Sequence, residues 1–121
     1  MGAGNNVPSL MKSVSLKEGM PSVQEALSRL DHGLAAARSQ GYRLVKFIHG
    51  YGSTGAGGEI RLAAQKRLRQ LNDQDQIRAC IFGEDWAKSN QQTWKILGIH
   101  PDLKQDHDLG RGNLGITVVV L

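Results

Sequence analysis

The chain has 121 residues, 40% of them hydrophobic and 21% charged, with fifteen Lys and Arg against eleven Asp and Glu for a net charge of +4. That size and balance fit one globular domain with a single core, and no apolar run approaches the roughly 20 residues of a membrane span. A single cysteine, Cys80, excludes an internal disulfide and a cysteine-based zinc site.

The first residues, Met1-Gly2-Ala3-Gly4-Asn5-Asn6, have no basic region followed by an apolar one, so they are not a secretory signal. A myristoylation motif requires Ser or Thr where Asn6 stands. Residues 1–10 are expected to form a flexible tail and 11–121 a single domain, cytoplasmic in location. Met11 to Leu16 alternates apolar and polar residues, the period of a half-buried strand. After a turn at 17–20, Pro21 suits a first helical turn, and Ser22-Val23-Gln24-Glu25 matches the S-x-x-E capping box. Val23, Ala26, Leu27, Leu30, Leu34 and Ala37 repeat at helical spacing, and Gly41 suits the position just past a helix end. A helix over about 22–39 follows.

Arg43 to Ile48 is predicted as a second strand, running into Lys46-Phe47-Ile48-His49-Gly50-Tyr51-Gly52-Ser53-Thr54-Gly55-Ala56-Gly57-Gly58. A second helix, about 57–71, buries Ile60, Ala64, Leu68 and Leu71 and carries Arg61, Lys66, Arg67 and Arg69 on its other faces. Ile77 to Phe82 reads as a third strand, with Cys80 a buried structural thiol. Residues 83–113 show no clear period, a length that suggests an element of their own or a functional flap. Within them Ser89 is a candidate cap for a short helix over about 90–97. Leu114 to Leu121 is the last strand, and its Val118-Val119-Val120 run implies apolar contact on both faces and a central place in the sheet.

The order β-α-β-α-β-(insert)-β gives an α/β fold. Right-handed crossovers make the first three strands parallel and put both helices on one face, while the long connection allows the fourth to run antiparallel. The expected architecture is a two-layer sandwich with a four-stranded mixed sheet. Charge divides along the same line: residues 1–82 carry eleven Lys and Arg against six Asp and Glu, residues 83–121 four against five. The basic part is the part that holds the glycine-rich loop, which permits polyanion binding.

Strand, glycine-rich turn, helix is the order that presents backbone N–H groups to an anion. The loop satisfies G-x-G-x-x-G, but it follows the second strand and the third ends in Phe82-Gly83, without the acidic residue of a dinucleotide site. No Lys-Ser/Thr pair follows Gly58, which excludes a Walker A loop, and no G-x-S-x-G elbow accompanies the esterase-like His49-Gly50-Tyr51-Gly52. No cofactor is expected. His49, at a strand end beside the loop, is either an orienting imidazole or a group in contact with ligand or chemistry, and His32 is expected on the surface. His100, Asp102, Asp106, His107 and Asp108 match neither an EF-hand nor a zinc-helix spacing, so they read as a solvated loop and no metal is expected.

His49-Gly50-Tyr51-Gly52, the helix after it and the terminal Gly112-Asn113-Leu114-Gly115-Ile116-Thr117-Val118-Val119-Val120-Leu121 together resemble the Smr domain, found alone and at the C-terminus of MutS2 proteins. That family carries an H-G-x-G loop and ends in a G-x-G-[IV]-T-V-V-x-L strand. The resemblance runs over about 14–82 and 112–121. It implies a sandwich like the C-terminal domain of bacterial translation initiation factor three, nucleic-acid binding, and in several members nicking or RNA-cleaving endonuclease activity. The carry-over lands on His49, Gly50 and Gly52. Active members usually carry L-D-x-H-G at the end of strand one; this chain has Leu16-Lys17-Glu18-Gly19-Met20, without that acid and imidazole.

The leading expectation is therefore a divergent Smr-like domain that binds DNA or RNA, with weak or absent nuclease activity. Phosphates would lie against the Gly50–Gly58 backbone, including Ser53, Gly57 and Gly58. Lys17, Lys46 and Arg61 would supply charge, and Tyr51 would stack on a base. The alternatives are an endonuclease using His49 with Glu18 or an insert residue as partner, and a protein-interaction module using the insert, where Trp86 and Trp94 are expected to pack beneath the flap.

Overall fold

The computed structural model describes residues 10–51 and 56–121. Strand β1 (Met11–Ser15) leads to helix α1 (Val23–Ser39), strand β2 (Leu44–Ile48), helix α2 (Ala56–Asp73) and strand β3 (Ala79–Phe82). A 3₁₀ turn at Gly83–Asp85, helix α3 (Gln91–Ile99), a second 3₁₀ turn at Pro101–Gln105 and strand β4 (Ile116–Val120) complete the chain. The capping box forms as expected: Ser22 Oγ accepts from the Glu25 amide at 3.1 Å, and Glu25 Oε1 accepts from the Ser22 amide at 3.0 Å. Pro21 lies just outside, before the cap rather than in the first turn. Gly41 follows the helix end with φ +84°, a left-handed value that glycine takes without strain.

The sheet order is β1-β2-β4-β3. β1 pairs parallel with β2, and β4 runs antiparallel between β2 and β3. The first three strands thus share a direction, and the triple-valine strand is central, flanked by Lys46 and Ile81 at Val118. One face carries Val45, Phe47 and Val119 against the inward stripes of α1 (Ala26, Leu30, Leu34, Ala37) and α2 (Ile60, Ala64, Leu68). α1 lies close to the sheet because Gly33 has no side chain. A Cβ there would stand 3.1 Å from Val14 Cγ1 and 3.3 Å from Phe47 Cε1.

The other face is covered too. Leu44, Ile81, Ile116 and Val118 pack against Trp86, Ile96, Leu97 and Leu103 from residues 83–113. The segment without a period is thus a third layer on the sheet, with α3 as a third helix. Its cap is Asn90 rather than Ser89, since the Asn90 side chain accepts from the Thr93 amide at 3.0 Å. Trp86 is fully buried, as expected, and its indole N–H donates to Asp106 Oδ2 at 2.9 Å. Trp94 is not packed beneath the segment: it is 56% exposed.

Gly83 joins this layer to the sheet. A Cβ there would lie 1.6 Å from the Asn113 carbonyl oxygen and 3.0 Å from that of Ile116, so only glycine fits between β3 and the turn before β4. No helix among the described residues is long and apolar enough to cross a membrane.

Candidate nucleic-acid interface

Of the residues expected at the loop, Gly52 and Ser53 lie outside the described residues. Gly57 and Gly58 belong to the first turn of α2, which starts at Ala56, rather than to a loop. His49 and Gly50 are described, and their surroundings differ from a free anion cradle. Both backbone amides donate to one acceptor, the Gly115 carbonyl, at 3.0 and 3.1 Å. The Gly50 N–H is spent on the terminal turn and does not face a ligand. Gly50 itself takes φ +76°, the left-handed region, which lets the chain leave β2 sharply.

The His49 side chain is fully buried. Its Nδ1 lies 3.0 Å from the Gly50 carbonyl oxygen, an atom that only accepts, so Nδ1 carries the proton. Nε2, 2.9 Å from Thr117 Oγ1, then accepts from the threonine hydroxyl. Burial holds the imidazole below its ordinary pKa, with Arg61 adding to this, against the carbonyls of Gly50 and Ile116 and the Glu84 carboxylate. The ring is a neutral brace between β2 and β4. The expected catalytic or phosphate-contacting His49 is corrected in this respect: both ring nitrogens are occupied by the protein itself.

Lys46 requires a larger correction. It was expected to supply charge to phosphate, but its side chain points to the face opposite α1 and α2 and is 3% exposed. Its ammonium lies 2.7 and 2.9 Å from the two oxygens of Asp106 and 2.6 Å from Asp108 Oδ2. An ammonium in an apolar layer is tolerated only when paired and hydrogen-bonded, and two carboxylates from the third layer meet that need. The aspartates are accordingly not a solvated loop. Burial pushes the Asp108 carboxyl up, but bonds from Lys46 and Asn113 and the charges of Lys46 and His107 leave it below the ordinary carboxylate value. Donor atoms of Asp106, His107 and Asp108 fall within 4.8 Å of one another, a spacing compatible with a metal. The Lys46 ammonium already occupies the place between the two carboxylates.

From this pair a chain of bonds runs to the loop. Asp108 Oδ1 accepts from Asn113 Nδ2 at 2.9 Å, and Asn113 Oδ1 accepts from the Gly115 amide at 2.8 Å. The Gly115 carbonyl in turn holds His49 and Gly50. One signal for this in the sequence was Lys46 itself, a charge in the middle of a strand whose neighbours Leu44, Val45 and Phe47 all belong inside.

Lys17 and Arg61 lie near consecutive residues, Gly50 and Tyr51. Lys17, exposed just after β1, lies along Gly50, where a Cβ would stand 3.1 Å from its Cδ and 3.9 Å from its Nζ. The Arg61 guanidinium, one turn into α2, lies 5.7 Å from the centre of the Tyr51 ring. That ring is 56% exposed. One cation thus lies over an exposed aromatic and a second lies along the glycine before it, after the C-terminal ends of β1 and β2 and near the first turns of α2. Glu84, exposed in the 3₁₀ turn after β3, acts on His49 from the other side. Sequence reasoning did not single it out. The remaining histidine reading holds: His32 is exposed, with Nδ1 donating to the Ser28 carbonyl at 2.9 Å. Cys80 is half-buried, and burial pushes its thiol up, away from the reactive thiolate.

The family model for the Smr domain matches residues 18–87, which is more than half of the chain. The chain belongs to the Smr family. The match begins at Glu18, within the segment Leu16–Met20 that lacks the acid and imidazole of the L-D-x-H-G motif. Among solved structures, the Smr domain resembles the crystal structure of the Smr domain of Thermus thermophilus MutS2, with a TM-score of 0.56 and 24% identity over 91% of this chain and 96% of that one. At that identity the likeness speaks for the fold. No curated protein matches the chain. Membership of the Smr family implies a module of the nucleic-acid-binding, nuclease-like class.

Proposed function

We propose that this Smr domain binds nucleic acid by its phosphate backbone at the end of the sheet where Lys17, Tyr51 and Arg61 meet, with weak or absent nuclease activity. The observation that carries this reading is the Arg61 guanidinium over the exposed Tyr51 ring with Lys17 along the neighbouring Gly50, beside a buried loop base braced by Gly115. Lysine and arginine would neutralise successive phosphates, and Tyr51 offers a face on which a base can stack. The chemistry beside them is sparse. His49 is neutral and engaged at both nitrogens, and the end of strand one offers Glu18 without an imidazole partner. A general acid or base needs to reach the proton it moves, and His49 here reaches only protein groups.

The test is a salt titration of binding to single- and double-stranded DNA and RNA oligonucleotides. Log affinity should fall linearly with log salt concentration, by roughly 0.9 per neutralised phosphate on duplex DNA and 0.7 on single strands. Lys17→Gln and Arg61→Gln should each weaken binding and flatten that slope by about one phosphate contact. Absence of binding at low salt, or affinity indifferent to salt, would sink the reading. Supercoiled plasmid and a short RNA should remain intact under the same conditions. Steady cleavage that is lost in a folded His49→Gln variant would instead restore His49 as a catalytic group.

A further inference from the structure

Helix α3 turns Thr93, Ile96 and Leu97 inward and leaves Trp94 on its outer side. An isolated exposed apolar residue needs no explanation, but Trp94 is not isolated. It forms one wall of an open groove whose other walls are Lys88, Ser89 and Gln91, and Lys95 follows it in the helix. An aromatic face, a cation and two uncharged hydrogen-bonding side chains in one shallow groove are the parts of a stacking platform for a nucleobase.

The fold also connects this groove to the base of the loop. Thr93 Oγ1 donates to the Asp85 carbonyl at 2.6 Å, tying the start of α3 to the 3₁₀ turn after β3. That turn begins at Gly83, in contact with the carbonyls of Asn113 and Ile116, and contains Glu84, whose charge reaches His49. The groove and the loop base are therefore tied to one another through the single turn at residues 83–85.

We infer that Trp94, with Lys88, is an accessory stacking subsite for an unpaired base of a nucleic-acid strand whose phosphates lie at Lys17 and Arg61. The inference rests on the proposed binding at the loop and assigns its ligand: a single strand or an unpaired overhang, because a base inside a duplex has no free face to stack. Glu84 and Asp85 are exposed between the two places and oppose phosphate there. The contribution of the groove thus comes mainly from stacking and depends weakly on salt.

The experiment uses the intact chain and an eight-nucleotide oligothymidylate, alongside a blunt duplex of equal length. Trp86 is fully buried, so the oligonucleotide should quench the emission of exposed Trp94 and leave that of Trp86 unchanged. Trp94→Phe should abolish the quenching and keep most of the affinity. Trp94→Ala should weaken single-strand binding about fivefold or more, leave its salt slope unchanged, and leave duplex binding unaffected. Lys88→Gln should weaken single-strand binding as well, and circular dichroism confirms that each variant is folded. If wild-type protein binds neither oligonucleotide, the proposed function and this subsite fall together. If binding responds to Lys17→Gln and Arg61→Gln but not to Trp94→Ala, only the subsite is overturned; a Trp94 that matters solely for capture of a protein has the same consequence. Equal losses on duplex and single strand would overturn the assignment to an unpaired base.

Discussion

Replacing Lys46 with methionine is the most informative perturbation of this fold. The change keeps most of the length of the side chain and removes the charged, hydrogen-bonding ammonium. In the native protein the ammonium is held by three contacts of 2.6 to 2.9 Å to Asp106 and Asp108, with side-chain exposures of 4% for Lys46, 13% for Asp106 and 9% for Asp108. Without it, two carboxylates face each other in a layer otherwise built from Trp86, Ile96, Leu97 and Leu103. Removing one partner of a buried pair costs about 3–5 kcal/mol, because the charge left behind is uncompensated. With an unfolding entropy of roughly 2 cal/mol/K per residue, each kcal/mol corresponds to about 4 °C in a chain of this length. Lys46→Met should therefore lower the melting temperature by about 12–20 °C.

Two further measurements separate this reasoning from a packing effect. In Lys46→Met the unpaired aspartates prefer to be protonated in the folded state, so their folded pKa values rise above the unfolded ones. Such groups stabilise at low pH and cease to do so as pH rises, so the deficit against wild type should shrink as pH is lowered toward the carboxylate range. Adding Asp106→Asn and Asp108→Asn to Lys46→Met should recover most of the loss, since amides keep hydrogen-bonding capacity without charge. Urea denaturation at several pH values measures all of this. A Lys46→Met cost below about 1 kcal/mol, the usual range for exposed pairs, with no pH dependence of the difference, would refute the argument.

Other consequences are as direct. Arg67→Ala should cost less than about 1 kcal/mol, because the Arg67–Asp31 pair, at 3.2 Å, is 41% and 49% exposed. Gly83→Ala should cost more than about 3 kcal/mol or prevent folding, since its Cβ would overlap the Asn113 carbonyl, a backbone atom with no rotamer to escape into; soluble yield and thermal melting check this. Ser22→Ala should cost about 1 kcal/mol through loss of the capping box, read by denaturant titration. Wild-type stability should be level above about pH 6.5 and decline as pH falls below it, because the unfolded chain protonates His49 while the folded one resists. A stability profile flat down to pH 5 in wild type, or one unchanged in a folded His49→Gln variant, would remove His49 as the cause. A second decline should come below about pH 3.9, as acid titrates the depressed Asp108 carboxyl and releases Lys46.

What was legible in this chain was whatever is written locally. The capping box of α1, the 3.6-residue stripes of both large helices and the triple valine of β4 are short-range patterns, and each reported its element and its facing correctly. The Smr resemblance was legible as well, because the H-G-x-G loop and the terminal strand are compact motifs. The third layer was not. Residues 83–113 have short elements and 3₁₀ turns, and their apolar residues face the sheet from several directions rather than at one period. Lys46 was misassigned for a related reason: its partners are 60 and 62 residues away, and no local pattern marks a charge whose neutralisation is tertiary.

Placing Lys46 inside changes what the loop is. A glycine-rich turn after a strand suggests amides waiting for phosphate, yet the amides of His49 and Gly50 are already bound to Gly115. The turn that presents Gly115 is itself held by Asn113, Asp108 and Lys46. The third layer thus fixes the base of the loop from the far side of the sheet, and the imidazole of His49 closes the same joint through Thr117. In the proposed binding mode a rigid base of this kind would hold the backbone entering Tyr51 in place before a ligand arrives, which spares ordering entropy on association. The same rigidity works against proton transfer at His49, whose nitrogens would have to leave Gly50 and Thr117 first. Hydrogen exchange discriminates here: the His49 and Gly50 amides should be among the slowest outside the central strands, and Lys46→Met should accelerate both. Fast exchange at these two amides in wild type would mean that the joint opens readily, and His49 would again be free to act.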